Sequence, residues 1–221
     1  MTAPTRERYQ RARRPGEKEA RREAILGAAA RLIEGTDPQS VTLNGIAAEA
    51  GLSKPNLYRY FQSREEILLH LFLDDLRSFA AEVAGKLDAV HEGVAPETLA
   101  DMQVDAYASR PRLCRFLGLI ASVLEQNASE RVLREVKVST LETARMLAAA
   151  LHRARPELPV EQCLWFNSTV ALFVAGLWPP AHPSAAVGAL LGEPQFEALR
   201  PDFRRDLRTT ILTLLAGLRS G

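Results

Sequence analysis

Cysteine is nearly absent: Cys114 and Cys163 are the only two in 221 residues. They form no CxxC, and no histidine stands close to either, so a disulfide scaffold and a zinc ribbon are both excluded. Their apolar settings predict buried free thiols, consistent with a reducing compartment. The four histidines, His70, His91, His152 and His182, are scattered without metal-ligand spacing. Aromatic residues make up only 6% of the chain, and net charge is only +1, so the whole chain is not a polycation. No segment approaches 18 uncharged apolar residues, and the N-terminus has no apolar h-region. Neither a transmembrane helix nor a secretory signal is expected, which places the protein in the cytoplasm, away from membranes. There is no Gly-rich phosphate loop, metal-ligand spacing or nucleophile elbow, so neither a cofactor nor catalysis is expected.

What remains is a helix-forming composition. Hydrophobic residues account for 47% and charged residues for 25%, as in a globular chain with a sizeable core. Ala, Leu, Arg and Glu are abundant, which favours helix. Charge is unevenly placed. Residues 1–64 hold 12 basic and 7 acidic side chains, a net of +5, and the remainder holds 16 and 20, a net of −4. That asymmetry points to a nucleic-acid-facing N-terminal end.

The stretch from Thr42 to Arg64, TLNGIAAEAGLSKPNLYRYFQSR, has the parts of a helix-turn-helix. Ala47 is the small residue where two helices cross, Gly51 supplies the positive φ of the turn, and Leu57 points back to the core. Ile46, Ala50 and Leu52 complete the inner patch. The first helix is predicted over Leu43–Ala50 with Thr42 as N-cap. The second is predicted over Lys54–Tyr60, with Ser53 as N-cap and Pro55 in the first turn. Asn44-Gly45 argues for a hairpin instead, but no alternating strand pattern flanks it. The outer side of the second helix carries Lys54, Asn56, Tyr58 and Arg59, with Tyr60 at its end. Lysine and tyrosine suit phosphate oxygens; asparagine and arginine can read base edges.

The run GIAAEAGLSKPNLYRYFQSREEIL resembles the TetR family of bacterial transcriptional regulators. Thr42, Ile46, Ala47, Ala50, Gly51, Ser53, Lys54, Leu57, Tyr58, Phe61, Ser63 and Glu66 carry the resemblance, which spans roughly Ala20 to Phe72. It implies an all-α homodimer, with an N-terminal three-helix DNA-binding domain and a C-terminal ligand-binding and dimerisation domain. By that resemblance Thr42, Lys54, Tyr58 and Tyr60 contact phosphates, with Ser53 beside them. Pro55, Asn56 and Arg59 approach bases, and Arg64 meets a phosphate. The family often has histidine where this chain has Tyr60.

About nine helices are expected. Residues 1–16, rich in arginine, form either a solubilising tail or an arm that adds DNA contacts. Residues 17–64 form the DNA-binding domain and residues 65–221 the effector-binding and dimerisation domain. Helix 1 spans Glu17–Glu34 and is ended by Gly35 and Pro38. Ser63 and Glu66 make a capping box that opens a helix of about 25 residues, the link between the two halves. His91-Glu92-Gly93 breaks it. Further helices start at Pro96, Pro111 (apolar to Leu124) and Ser129, the last ending at Arg155-Pro156. Leu158–Trp178, uncharged from Gln162 on, should be buried on both sides. A proline-rich connection over 179–201 holds a short turn at Val187–Leu191, and Pro201 opens the last helix.

The resemblance implies that the last two long helices pair with their copies in a second subunit, and both have apolar stripes. Two recognition helices related by a two-fold axis match half-sites ~34–36 Å apart or a multiple. Candidate ligand-pocket residues are Tyr107, Phe116, Ile120, Trp165, Thr169, Phe173 and Trp178, suited to a hydrophobic small molecule. Asn167 and Thr169, polar on an apolar helix, need partners there or across the dimer interface. The function expected is a DNA-binding regulator, a repressor released from a palindromic operator by such a ligand. The alternative is a dimeric regulator or architectural protein without an effector.

Overall fold

The computed structural model describes residues 15–34, 36–90 and 93–218. The arginine-rich arm up to residue 14, Gly35 and the His91-Glu92 break lie outside the described residues. Among the described residues the chain is all-helical, with ten α-helices and no strand.

Three short helices form the N-terminal unit: α1 (Pro15–Ile33), α2 (Leu43–Glu49) and α3 (Lys54–Leu57). Ile25, Ala28, Ala29 and Ile33 give α1 a buried stripe against α2 and the long helix α4 (Arg64–Asp88). The Thr42 hydroxyl caps α2, accepting from the Gly45 N–H at 3.0 Å. Gly45 has a local reason. A Cβ there would stand 3.3 Å from that hydroxyl and 3.8 Å from Leu32, so the Asn44-Gly45 pair serves a cap and not a hairpin. α2 ends in a Schellman turn: the Leu52 N–H donates to the Ala47 carbonyl (2.8 Å), the Gly51 N–H to Ala48 (3.1 Å), and Gly51 sits at φ +65°. Glycine takes that conformation without the Cβ clash that penalises other residues.

The long helix α4 (Arg64–Asp88) opens on Ser63, whose hydroxyl accepts from the Glu66 N–H at 3.1 Å. At 25 residues it is about 37 Å long. Glu66 reaches back as predicted, but it accepts from the Gln62 N–H, at 2.7 Å. α5 (Pro96–Ala108) and α6 (Pro111–Leu119) follow, each opened by proline. α6 was expected to continue to Leu124; instead Ile120–Leu124 widens into a π turn, followed by a 3₁₀ turn at Glu125–Asn127. α7 (Glu130–Ala154) is capped by Ser129. It lies along α4 on one side and α8 (Val160–Ala181) on the other.

α8 runs past Trp178, its expected end, through Pro179 and Pro180. Both prolines fall in the last turn, where the missing N–H groups cost only two helical bonds. Its Ala175 carbonyl faces α6 at Gly118, where a Cβ would stand 3.2 Å from that oxygen. Any larger residue would push the two helices apart by a few tenths of an ångström. α8 has the length and hydropathy to cross a membrane, although the sequence suggested that no segment does. Here it packs against α6, α7 and α10, burying Cys163, Phe166, Val170, Val174 and Leu177. The opposite side, expected to be buried too, is open in the single chain: Trp165 is 51% and Leu172 74% exposed.

The connection contains α9 (Ala185–Leu191) and a 3₁₀ turn (Pro194–Leu199), and α10 (Phe203–Leu218) closes the chain. The α10 stripe of Phe203, Leu207, Ile211 and Leu215 is buried against its own α5 and α8. One continuous apolar core joins the two halves, from Ile25 in α1 to Leu215 in α10.

Candidate nucleic-acid interface and effector cavity

The exposed side of the N-terminal unit is built by α2 and α3. Leu57 is fully buried beneath α3, fixing the helix against Ile46 and Ala47. Its other residues, Lys54, Pro55 and Asn56, are exposed, as are Ser53, Tyr58 and Arg59. Beyond Leu57 the chain tightens: the Arg59 N–H donates to Asn56 and the Tyr60 N–H to Leu57, both three residues back. The helix is therefore shorter than the Lys54–Tyr60 span predicted, and Tyr58 and Arg59 stand on a turn. Ser53 makes no side-chain cap bond, so its hydroxyl keeps its capacity for another partner. Lys54 Nζ lies 6.0 Å from the Tyr58 ring centre. Thr42 is exposed while it caps α2.

Two predicted contacts are placed differently. Tyr60 is half-buried against the core, and its carbonyl accepts from Arg22 Nη1 at 2.9 Å. Arg64 donates to the Gln39 and Val41 carbonyls (2.9 and 3.2 Å) and to Glu65 (2.7 and 3.0 Å). It ties the first turn of α4 to the chain entering α2, so most of its donors are already used. Arg22 was not singled out from the sequence. Its guanidinium stacks over Phe61, 4.4 Å from the ring centre, and lies 3.2 Å from His70 Nε2. Nothing in its helical position marks it out from other surface arginines.

The second feature is a cavity of about 330 Å³ in the C-terminal half. Phe72, Leu76, Phe79 and Val83 of α4 form one wall, Gln103 and Tyr107 of α5 another, and Leu117 of α6 with residues of α7 and α8 the rest. Of the residues expected in a pocket, Tyr107 alone lines it, packed 4.4 Å ring to ring on Phe79. The others lie elsewhere. Phe116 is buried edge-on to Phe72. Trp178 stacks on His182 and meets Phe203 edge-on. Ile120 lies in the π turn, Trp165 is half-exposed, and Thr169 and Phe173 are partly buried on α8 outside the cavity lining. Asn167 does line it, and its Nδ2 is buried without a hydrogen-bond partner. The α4 residues were legible as an apolar stripe, but periodicity cannot separate a cavity wall from a filled core.

The titratable groups here are not poised for chemistry. Burial pushes the Tyr107 phenol far above its ordinary range. It also pushes the Cys114 thiol up to about 12 and Cys163 to about 11. All three stay protonated at neutral pH. Among the described residues no three His, Cys, Asp or Glu side chains are grouped to hold a metal.

A recognition unit of this geometry, joined by one long helix to an all-helical domain with an apolar cavity, defines a helix-turn-helix regulator. A profile of "Bacterial regulatory proteins, tetR family" matches residues 25–71, and one of "Tetracyclin repressor-like, C-terminal domain" matches residues 73–221. The chain belongs to the TetR family of transcriptional regulators and is not an enzyme. An uncharacterized HTH-type transcriptional regulator of Mycobacterium tuberculosis is 41% identical over 68 residues. That alignment spans 31% of this chain and 34% of the relative, about a third of its length. Among solved structures, the TetR family repressor AlkX from Dietzia sp. superposes with TM-score 0.52 at 18% identity, covering 90% of this chain and 96% of that one. FadR from Bacillus subtilis, in complex with stearoyl-CoA, superposes with TM-score 0.53 at 14% identity, covering 87% and 96%. At such identities the likeness concerns the fold.

Proposed function

We propose that the protein is a cytoplasmic homodimeric repressor that sits on a palindromic operator and is released by a small hydrophobic ligand. The observation that carries the DNA reading is the exposed row Ser53–Asn56, Tyr58 and Arg59, held by a buried Leu57. Lys54, Tyr58, Ser53 and Thr42 take phosphates; Pro55, Asn56 and Arg59 approach bases. Tyr60 and Arg64 brace the unit and add at most peripheral contacts.

Dimerisation is supported by the uncovered side of α8. Trp165 and Leu172 stand exposed on a helix with no charge from Gln162 to Ala181. An apolar face of that kind is stable in water when a second surface covers it. α10 contributes less than its stripe suggested, because that stripe is used inside the subunit; Leu212, Leu214 and Leu218 remain partly open. The cavity favours a ligand-responsive regulator over an architectural protein. Repressors with the same fold include AlkX, and the FadR structure holds an acyl-CoA.

The test is selection of bound duplexes from a random pool by the purified full-length chain. The expected result is an inverted repeat bound by two chains, with spacing that fits two α3 helices. Recovery of no sequence preference, even at low salt, overturns the reading.

A further inference from the structure

None of the sixteen residues lining the cavity between α4, α5, α6, α7 and α8 is charged. Six of them carry a polar group: Gln103, Tyr107, Thr140, Thr143, Asn167 and Ser168. The Thr143 hydroxyl already donates to the Ser139 carbonyl at 2.8 Å. Tyr107 is held protonated by burial, so it can only offer or accept a neutral hydrogen bond. Asn167 Nδ2 has no partner at all. A buried amide left unbonded costs about 1–3 kcal/mol, so an N–H₂ facing a cavity is a donor waiting for an acceptor. Ser168 and Leu172 at its rim are exposed in the single chain, but at the inner end, beside buried Gln103, Tyr107 and Thr143, an ionised carboxylate or phosphate would meet no cation, and an unpaired buried charge is far more costly than an unpaired dipole. The volume is about eleven times a water's share of the liquid, ~30 Å³.

We propose that this cavity binds a neutral, mainly aliphatic molecule of about a dozen non-hydrogen atoms. Its single oxygen acceptor, of the ketone, ester or alcohol class, accepts from Asn167 Nδ2, and the site rejects the corresponding carboxylate. This rests on the effector reading above only in taking the cavity as a ligand site, and it assigns that site a chemistry. Asn167 is the specificity-determining residue: the α4 wall selects apolar bulk, and the carboxamide selects the oxygen.

The experiment compares 2-decanone, undecane and decanoate at pH 8 by equilibrium dialysis against the full-length protein. Each probe is also tested for its effect on operator affinity. The ketone is expected to bind about fivefold tighter than the hydrocarbon, the yield of one hydrogen bond. Decanoate is expected to bind at least about a hundredfold more weakly than the ketone. Asn167→Leu should erase the ketone's advantage over undecane while leaving undecane bound. The proposal is overturned if decanoate matches the ketone, if none of the three binds, or if the variant keeps the ketone-to-hydrocarbon ratio. The ranking in the unmodified protein decides the matter even if the variant does not fold. A ketone that binds with the expected ranking but leaves operator affinity unchanged upholds the ligand class and removes the release mechanism. A decanoate that binds as tightly as the ketone and releases the operator does the reverse.

Discussion

Replacing Glu66 tests how the recognition unit is fastened to the rest of the molecule. This carboxylate is 2% exposed and has two partners: the Gln62 N–H at 2.7 Å and Arg131 of α7 at 3.1 Å. They are not equal. Arg131 is 67% exposed, so its ion pair is screened by water and contributes about 0–1 kcal/mol. The Gln62 bond is part-buried and charge-assisted, a class that contributes about 1.5–3 kcal/mol. Glu66→Ala removes both and takes the side-chain partner from the Gln62 N–H just before α4, for a loss of about 2–3 kcal/mol. A chain of this size loses about 2–4 °C in Tm per kcal/mol, so the midpoint should fall by about 4–12 °C. Arg131→Ala should cost under about 1 kcal/mol. Glu66→Gln keeps a carbonyl oxygen for the Gln62 N–H and should fall between. Urea unfolding followed by circular dichroism at fixed protein concentration gives the three values. If Arg131→Ala costs as much as Glu66→Ala, or Gln is no better than Ala, the cap is not what holds this junction.

Lys54→Ala should weaken binding to every duplex and lower the slope of log affinity against log salt by about one, as one phosphate contact is lost; Asn56→Ala should instead change which base is preferred, and fluorescence anisotropy across a salt series separates the two. Gly51→Ala should cost about 1–2 kcal/mol, read as a lower Tm, because the left-handed turn at φ +65° persists while no atom crowds the new Cβ. His70 is held below its ordinary value of 6.5, chiefly by burial and secondarily by Arg22, against the pull of Glu135, Glu66 and Asp74. A depressed pKa means the folded chain resists protonation, so its contribution is present above about pH 6.5 and is lost as pH falls through the folded value. His70→Gln should flatten the decline in unfolding free energy between pH 7 and 5; an unchanged decline assigns it to other groups.

Much of the N-terminal unit was legible because its signals are local. A cap, a glycine and a capping box act within four or five residues, and Thr42, Gly51 and Ser63 behave as their positions predict. Glu66 bonds a neighbouring N–H, that of Gln62, while its other oxygen meets Arg131, which no local pattern includes. The bracing by Arg64 is equally non-local: its carbonyl acceptors lie 23 and 25 residues away. In the C-terminal half the stripes located the helices but not their neighbours. Aromatic residues on α6 and α8 were the natural pocket candidates, yet Phe116 and Trp178 meet other rings. The space opens instead where α4 faces α5, α6, α7 and α8, among residues that read as ordinary core. A void is a property of five helices at once, so no single helix announces it.

The position of that void bears on how release would work. Its α4 wall begins at Phe72, six residues from Glu66, about 9 Å along one continuous helix. A ligand pressing on Phe72 and Leu76 therefore acts on the helix whose first turn carries Arg64 and Glu66. Polar links hold α4 along its length: Arg131 to Glu66, Arg112 to Asp75 at 2.6 and 2.7 Å, Arg77 to Ser139 at 2.8 and 3.2 Å, Arg110 to Glu82, and Arg153 to Asp88 at 2.7 and 3.0 Å, while Arg115 ties α6 to the Thr36 carbonyl at 3.2 Å. The exposed ones, such as Arg131 to Glu66 and Arg153 to Asp88, contribute at most about 1 kcal/mol each, and the part-buried two-pronged Arg112–Asp75 pair contributes more. The apolar seam between α4 and α7 resists a tilt as well. On the proposed mechanism, a ligand that binds the tilted arrangement about a hundredfold better supplies ~2.7 kcal/mol, comparable to two or three of the exposed links. A ligand with equal affinity for both arrangements supplies nothing, however tightly it binds. Removing Arg112 and Arg115 should then lower the concentration of inducer needed for release without altering the cavity.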